Sequence, residues 1–196
     1  MSPILATRAG VSAIGYGMFG GGAPATAFES IATATGTGSS ATITFSAIPS
    51  TFQHLQVRWR ARSTFATSSA VAIQLTINSD TGTNYAYHNL WGDGSSANAS
   101  GSATTDKIVI GNGMAGNSMT SGVMGVGLLD IQDYASTTKN TTSRIFCGID
   151  TNTTTGAVRL MSGLWINTNA VSSLTFTANN GNFGTDTTFA LYGIKG

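Results

Sequence analysis

Charge is scarce in this sequence, and cysteine, histidine and proline are scarcer still. Of the 196 residues only 9% are charged, Glu29 is the one glutamate, and the chain has one cysteine, two histidines and three prolines. A chain so poor in Glu, Lys and Arg does not build many long soluble helices, because these residues are strong helix formers. The single Cys147 excludes an intrachain disulfide framework and a multi-cysteine zinc site, and we expect no metal or cofactor.

Small, hydroxyl-bearing and amide-bearing residues take the place of charge. Glycine (25), threonine (30), serine (22) and asparagine (13) make up almost half of the chain. Hydrophobic residues still account for 41%, and the net charge is only +1, which is not the composition of a disordered chain. We therefore expect an all-β domain. The near-neutral charge argues against nucleic-acid binding and favours oligomers over dispersed monomers.

Apolar residues that alternate with polar ones predict strands from about residue 28 onward. The clearest runs are 54–62 and 71–77, in which every second residue is apolar. Further strands are expected at 84–91, 106–110, 123–132, 143–149, 157–166, 171–178 and 187–194. Turn-forming residues separate these runs, which predicts an antiparallel β-sandwich or jelly-roll-like body over residues 28–196.

Two segments depart from simple alternation. The runs 123–129 and 160–166 are apolar at nearly every position, which predicts central strands or strands buried against a neighbouring subunit. Residues 92–105 are almost all Gly, Ser, Ala, Asn and Thr, which predicts an exposed loop.

Residues 1–27 are predicted to form an extended, glycine-rich docking arm. The glycines break the stretch too often for a signal peptide, and its hydrophobicity is too weak for a membrane span. Glycine would let such an arm fit the surface of a partner. Its candidate docking residues are Ile4, Leu5, Arg8, Ile14, Tyr16, Met18 and Phe19.

One motif imitates a nucleotide-binding site. The strand-like run 107–110 leads into a G-x-G-x-x-G sequence at residues 111–116. The dinucleotide fingerprint requires a helix directly after the last glycine, because the pyrophosphate sits on the N-terminus of that helix. Here only the turn-forming residues 117–122 stand before a new strand. This segment is too short for the crossover of about 12 residues that joins parallel strands. We therefore expect a hairpin loop.

Two groups of side chains are candidates for contact with partners. The alternating Arg58, Arg60 and Arg62 form a basic stripe, which is either an interface to an acidic partner or an exposed face balanced by local aspartates. Aromatic and imidazole side chains stand just before the predicted loop 92–105. They predict either stacking on a host-surface glycan or ordinary packing. These residues are Tyr85, Tyr87, His88 and Trp91.

No catalytic residue is predicted. The histidines and serines lack a G-x-S-x-G elbow, and the aspartates form no calcium-binding loop. Cys147 lies in an apolar run without a neighbouring positive group, which is typical of a buried thiol.

Several segments resemble those of tailed-bacteriophage virion proteins. Residues 48–58, IPSTFQHLQVR, are similar to the IPxTYxHLxLR strand of that family, and the likeness continues at 78–92, 130–140, 162–166 and 189–195. It covers most of residues 45–195. The segment 8–19 is similar to the N-terminal tethers of several phage structural proteins.

The resemblance implies a non-enzymatic component of the virion, and it transfers no catalytic or receptor-binding residue. Relatives of this type imply a closed ring of copies, with a trimer as the expected number. Two placements stay open. One is a tail-fibre or tail-tip protein that is docked by its arm and contacts the host, and the other is a capsid decoration protein that stabilises the head shell.

Overall fold

The computed structural model describes residues 27–151 and 156–196, and all regular structure within them is β-strand. None of these residues belongs to a helix that could span a membrane. The twelve strands in this part of the chain are β1 (Phe28–Thr35), β2 (Thr42–Phe45), β3 (His54–Ala61), β4 (Ala70–Ile77), β5 (Tyr85–Gly92), β6 (Ala97–Thr105), β7 (Ile108–Ala115), β8 (Gly125–Gln132), β9 (Thr141–Asp150), β10 (Gly156–Trp165), β11 (Leu174–Ala178) and β12 (Thr188–Ile194).

The strands form two antiparallel sheets that pack face to face. The larger sheet has the order β1-β12-β3-β8-β9-β10-β5-β6, and the smaller sheet has the order β2-β11-β4-β7. Along the strands of both sheets, buried residues alternate with more exposed ones, as a sheet with one covered face requires. The predicted antiparallel β-sandwich is confirmed.

Eight of the strands pair as in a jelly roll. The set β1-β12-β3-β8 stands against the set β2-β11-β4-β7, which is the pairing of two interlocked Greek keys. The other four strands arrive as two hairpins, β5–β6 after β4 and β9–β10 after β8. Both hairpins join the β8 edge of the larger sheet, which makes that sheet four strands wider than its partner.

An aromatic cluster fills the core between the sheets. Trp59 stacks on Phe189 with ring centroids 5.9 Å apart, and Phe176 and Phe183 approach Phe189 to 4.9 and 5.4 Å. The Trp59 indole N–H donates to the Gly113 carbonyl oxygen at 2.8 Å, which ties the larger sheet to β7 of the smaller one. Such pairs add specific geometry to the burial of apolar area.

Two sequence predictions about loops were wrong. Residues 97–105 form the edge strand β6, because their backbone pairs with β5 although their side chains are small and mostly exposed. Gly111 and Gly113 lie within β7, which pairs with β4, whereas β8 pairs with β3 and β9. The segment 116–124 therefore crosses from one sheet to the other and does not close a hairpin.

Candidate interaction surface

The outer face of the larger sheet, which points away from the smaller sheet, carries a patch of exposed apolar side chains. Leu90, Val126, Phe146, Val158 and Leu160 are each 50–55% exposed. They come from the adjacent strands β8, β9, β10 and β5, so they form one contiguous apolar patch. Three shallow depressions run between these side chains. Contiguous apolar surface of this kind marks sites of protein contact.

The patch consists of two rows that run across the four strands. The first row, called the ridge, is formed by large side chains in direct register: Leu128, Phe146, Leu160 and Leu90. The second row, called the furrow, lies two residues along each strand and holds smaller residues: Val126, Gly148, Val158 and Gly92. Each strand therefore presents a large residue beside a smaller one.

A polar network borders the ridge on its other side. The Gln56 amide donates to Asp130 Oδ1 at 2.8 Å, and Arg144 donates to Asp130 Oδ2 at 2.9 Å. Arg58 Nε donates in turn to Gln56 Oε1 at 2.7 Å. Asp130 and Gln56 are buried under this network, whereas 67% of the Arg144 side chain is exposed.

Only two of the three arginines in the predicted stripe lie on the outer face. Arg58 and Arg60 are exposed there, and the Arg58 guanidinium lies over the rings of Phe28 and Tyr192 at 5.7 and 5.4 Å. Arg62 instead donates to backbone carbonyls of the segment that crosses between the sheets, including Met119 at 2.6 Å. Its donors are taken up by its own chain because β3 has already ended at Ala61.

The aromatic residues of β5 do not form a joint surface. Tyr85 is fully buried, its hydroxyl donates to the Asp80 carbonyl at 3.0 Å, and burial raises the pKa of this phenol to about 12. Tyr87 packs against the core on the same side of the strand. His88 points to the outer face, where its ring lies over Gly101. Of the two alternatives left open for this group, Tyr85 follows ordinary packing, and it is too buried to contact a glycan.

The Trp91 ring is in contact with Arg159, a residue that the sequence analysis did not single out. The Arg159 guanidinium lies 4.6 Å from the centre of the Trp91 ring and donates to Asn89 Oδ1 at 2.7 Å. The Arg159 guanidinium also lies close to Gly111 of β7. A Cβ added at Gly111 would come within 2.9 Å of the guanidinium carbon. Arg159 thus bridges the two sheets beside the edge strand β7. Its position could not be read from spacing, because Gly111 and Trp91 are distant in sequence.

Residues of the segments 48–58, 78–92, 130–140 and 162–166 meet at one end of the sandwich. Asp80 Oδ2 accepts hydrogen bonds from Trp165 Nε1 at 2.8 Å and from Asn84 Nδ2 at 2.9 Å, and Oδ1 accepts one from the Gly82 backbone at 2.8 Å. These bonds, above all that from Trp165, hold the pKa of Asp80 below its ordinary value of 3.8. They join the turn after β4 to the end of β10.

A second cluster of such residues closes the turn after β8. The Asp133 backbone donates to His54 Nδ1 at 3.0 Å, and the Tyr134 hydroxyl donates to the Pro49 carbonyl. Lys139 and Gln53 donate to the Asp133 carboxylate, whose pKa they lower, Lys139 most strongly. The hydrogen bonds around Asp133 therefore hold this turn against the segment that precedes β3.

The described residues do not form a metal-binding cluster, and the two histidines lie far apart. No group of three or more His, Cys, Asp or Glu side chains among them could hold a metal ion. His54 lies on β3 and His88 on β5, with β8, β9 and β10 between them, so roughly 19 Å separate the two strands.

We expect the Cys147 thiol to be inert in the folded protein. The residue is buried on the inner side of β9, and burial raises its pKa to about 11, so little thiolate forms near pH 8. A chromogenic disulfide reagent should react at least about 100-fold more slowly with the native protein than with protein in denaturant. Equal rates in the two conditions would contradict this assignment.

The predicted docking residues of the arm, Ile4 to Phe19, lie outside the described residues. The rest of the chain defines a jelly-roll β-sandwich whose larger sheet is widened by two hairpins and exposes an apolar face. No family model matches the chain, and no curated protein or solved structure is significantly similar to it.

Proposed function

We propose that this chain is a structural component of a tailed-phage virion, which packs against neighbouring protein subunits and catalyses no reaction. The observation that carries the proposal is the apolar patch on the outer face. It lies mainly on β9, β10 and β5, the strands that are added to the jelly roll. The jelly roll itself does not require these strands, and their large outer apolar side chains are each about half exposed. Such strands are suited to contact with another protein.

Two further features support a structural role. The segments that are similar to virion proteins form hydrogen-bonded turns around Asp80 and Asp133, which rigidify one end of the sandwich. The chain also carries little charge, so that repulsion between like charges opposes association only weakly.

Within the virion we propose an assembly role at the tail fibre or tail tip, with capsid decoration as the alternative. Contact with a host glycan through β5 loses support, because Tyr85 is buried and Trp91 is covered by Arg159. The number of copies per particle, measured by quantitative gel, separates the placements. A decoration protein is present in hundreds of copies and its removal weakens the shell, whereas a tail protein is present in far fewer.

Deletion of residues 1–24 should abolish incorporation into particles and leave the body folded. The first strand of the described residues begins at Phe28, so the deletion leaves every core residue in that part of the chain in place. We expect the truncated protein to keep the unfolding transition of the full chain and to be missing from purified particles.

The matched control replaces residues 1–24 with a Gly/Ser segment of the same length, which keeps the reach of the arm but not its apolar side chains. It should fail to incorporate as well. Normal incorporation of either variant would refute the docking role of the arm.

A further inference from the structure

We propose that the outer face binds the same face of a second copy of this chain, about a two-fold axis that lies in the plane of the interface. The axis runs across the strands between ridge and furrow, at the level of residue 147 of β9. The inference builds on the proposed function in one respect, since it names the partner of the apolar patch.

The shape of the patch is self-complementary. Rotation about this axis places each strand antiparallel over its own copy, so that position 146 faces position 148 of the other chain. Phe146 then enters the gap above Gly148, and Leu90 enters the gap above Gly92. On β8 and β10 the rotation places leucine over valine. Every large residue of the ridge meets a smaller residue of the furrow, as two closely packed sheets require.

The charges at the border of the patch are complementary under the same rotation. Arg144 lies two residues before Phe146 on β9, and the exposed Asp150 lies two residues after Gly148. The axis that pairs position 146 with 148 also pairs position 144 with 150. Each Arg144 therefore faces Asp150 of the second copy, twice per pair. The alternative axis, parallel to β9, would place Arg144 over Arg144 and Phe146 over Phe146.

The area of the face is sufficient for a stable pair. The five half-exposed side chains of the patch offer roughly 400 Å² of apolar surface, within the range found at functional patches. A standard interface buries about 800 Å² on each partner, with an apolar centre and a polar rim. Arg144, Asp150, Ser162 and the small residues of β6 surround the patch and supply such a rim.

The symmetry of the patch distinguishes a pair from the trimer that the sequence resemblance implies. A three-fold ring joins two different surfaces of each copy, whereas a two-fold pair joins one surface to itself. Ridge and furrow belong to one surface and complement each other. We therefore assign this face to a dimer contact. A trimer in solution would contradict this assignment.

The solution mass of the isolated full-length protein tests the pair. Light scattering after size exclusion should give twice the mass of the chain at micromolar concentration. Phe146→Asp should raise the dimer dissociation constant about 100-fold or more, because it buries a carboxylate at the centre of the contact. Ile166→Asp is the matched control, since Ile166 is 47% exposed but lies beyond the patch; we expect a change of less than about 3-fold.

Both variants should keep the circular dichroism spectrum of the wild type, since each replaced side chain is half exposed in the single chain. A monomeric wild type would overturn the proposal, as would a three-chain mass or a dimer that is unaffected by Phe146→Asp.

Charge neutralisation tests the orientation of the two copies. Arg144→Gln and Asp150→Asn place no new like charge beside Asp130, and each should weaken the pair about 3- to 10-fold. Because each removes the same contact, the double variant should lose less than the product of the two single losses. A double loss equal to that product would exclude the antiparallel arrangement.

The dimer and the proposed function fail separately. A monomeric protein that still joins particles would refute only the dimer, and a dimeric protein that is absent from particles would refute only the virion role.

Discussion

Replacement of Trp59 by alanine is expected to lower the free energy of unfolding by about 3–5 kcal/mol. The side chain is 4% exposed, stacks on Phe189 and donates its indole N–H to the Gly113 carbonyl. Its ring also covers Gly127 of β8, where a Cβ would come within 2.0 Å of the ring. Alanine would leave a cavity between the sheets and a carbonyl without its donor. Urea unfolding followed by circular dichroism measures the loss.

Two variants separate the contributions at Trp59. Trp59→Phe keeps a ring in the core and removes the hydrogen bond to Gly113, so it should lose about 1–3 kcal/mol, less than alanine. Gly127→Ala leaves Trp59 in place and displaces its ring by overpacking, which should also cost about 1–3 kcal/mol. A loss below about 1 kcal/mol for Trp59→Ala would show that this tryptophan does not hold the two sheets together.

Replacement of Asp80 by asparagine should lower stability at neutral pH by about 0.5–1.5 kcal/mol, because solvent screens the hydrogen bonds of this partly exposed carboxylate. The carboxylate accepts three hydrogen bonds, from Trp165, Asn84 and the Gly82 backbone. An amide offers one oxygen and places an NH₂ group against a donor. Trp165, which is 1% exposed, would then lack a proper partner for its indole N–H.

The difference between the wild type and Asp80→Asn should shrink at low pH. Because the pKa of Asp80 is lowered in the folded state, its stabilising contribution is fully present well above its ordinary value of 3.8 and is lost as the pH falls through the lower folded value. Free energies of unfolding measured between about pH 6 and pH 2 should therefore converge for the two proteins.

Asp186→Asn is the control for this measurement, since Asp186 is an exposed carboxylate just before β12. It should change stability by less than about 0.5 kcal/mol at neutral pH. A constant difference between wild type and Asp80→Asn over the whole pH range would contradict the role of the ionised carboxylate.

The two added hairpins connect the fold to the proposed function. The jelly roll buries its apolar residues between its own sheets, around Trp59, Phe176 and Phe189. Strands β9, β10 and β5 instead carry apolar residues on both faces, so that one face covers the core and the other is exposed in the single chain. The exposed face is the one that we propose for contact with another protein.

Strand alternation and composition determined the class of the fold. Leu55, Val57, Trp59 and Ala61 had to share one face because side chains of a strand alternate, and all four are buried. The continuous apolar runs 123–129 and 160–166 predicted central strands or burial against a neighbouring subunit, and β8 and β10 are interior strands of the larger sheet. Their outer residues Val126 and Leu160 are half exposed in the single chain.

The tertiary structure decided what alternation does not encode. Period two separates the two faces of a strand but does not say which strands are neighbours, so the row of Leu128, Phe146, Leu160 and Leu90 could not be assembled from the sequence. The segment 97–105, which consists of small residues, became a strand because backbone pairing with β5 needs no large side chains. Likewise, Arg62 left its stripe because backbone carbonyls distant in sequence, such as that of Met119, lay within reach only after the chain had folded. Tyr85 lies on the face of β5 that packs against the core, and its hydroxyl donates to the nearby Asp80 carbonyl.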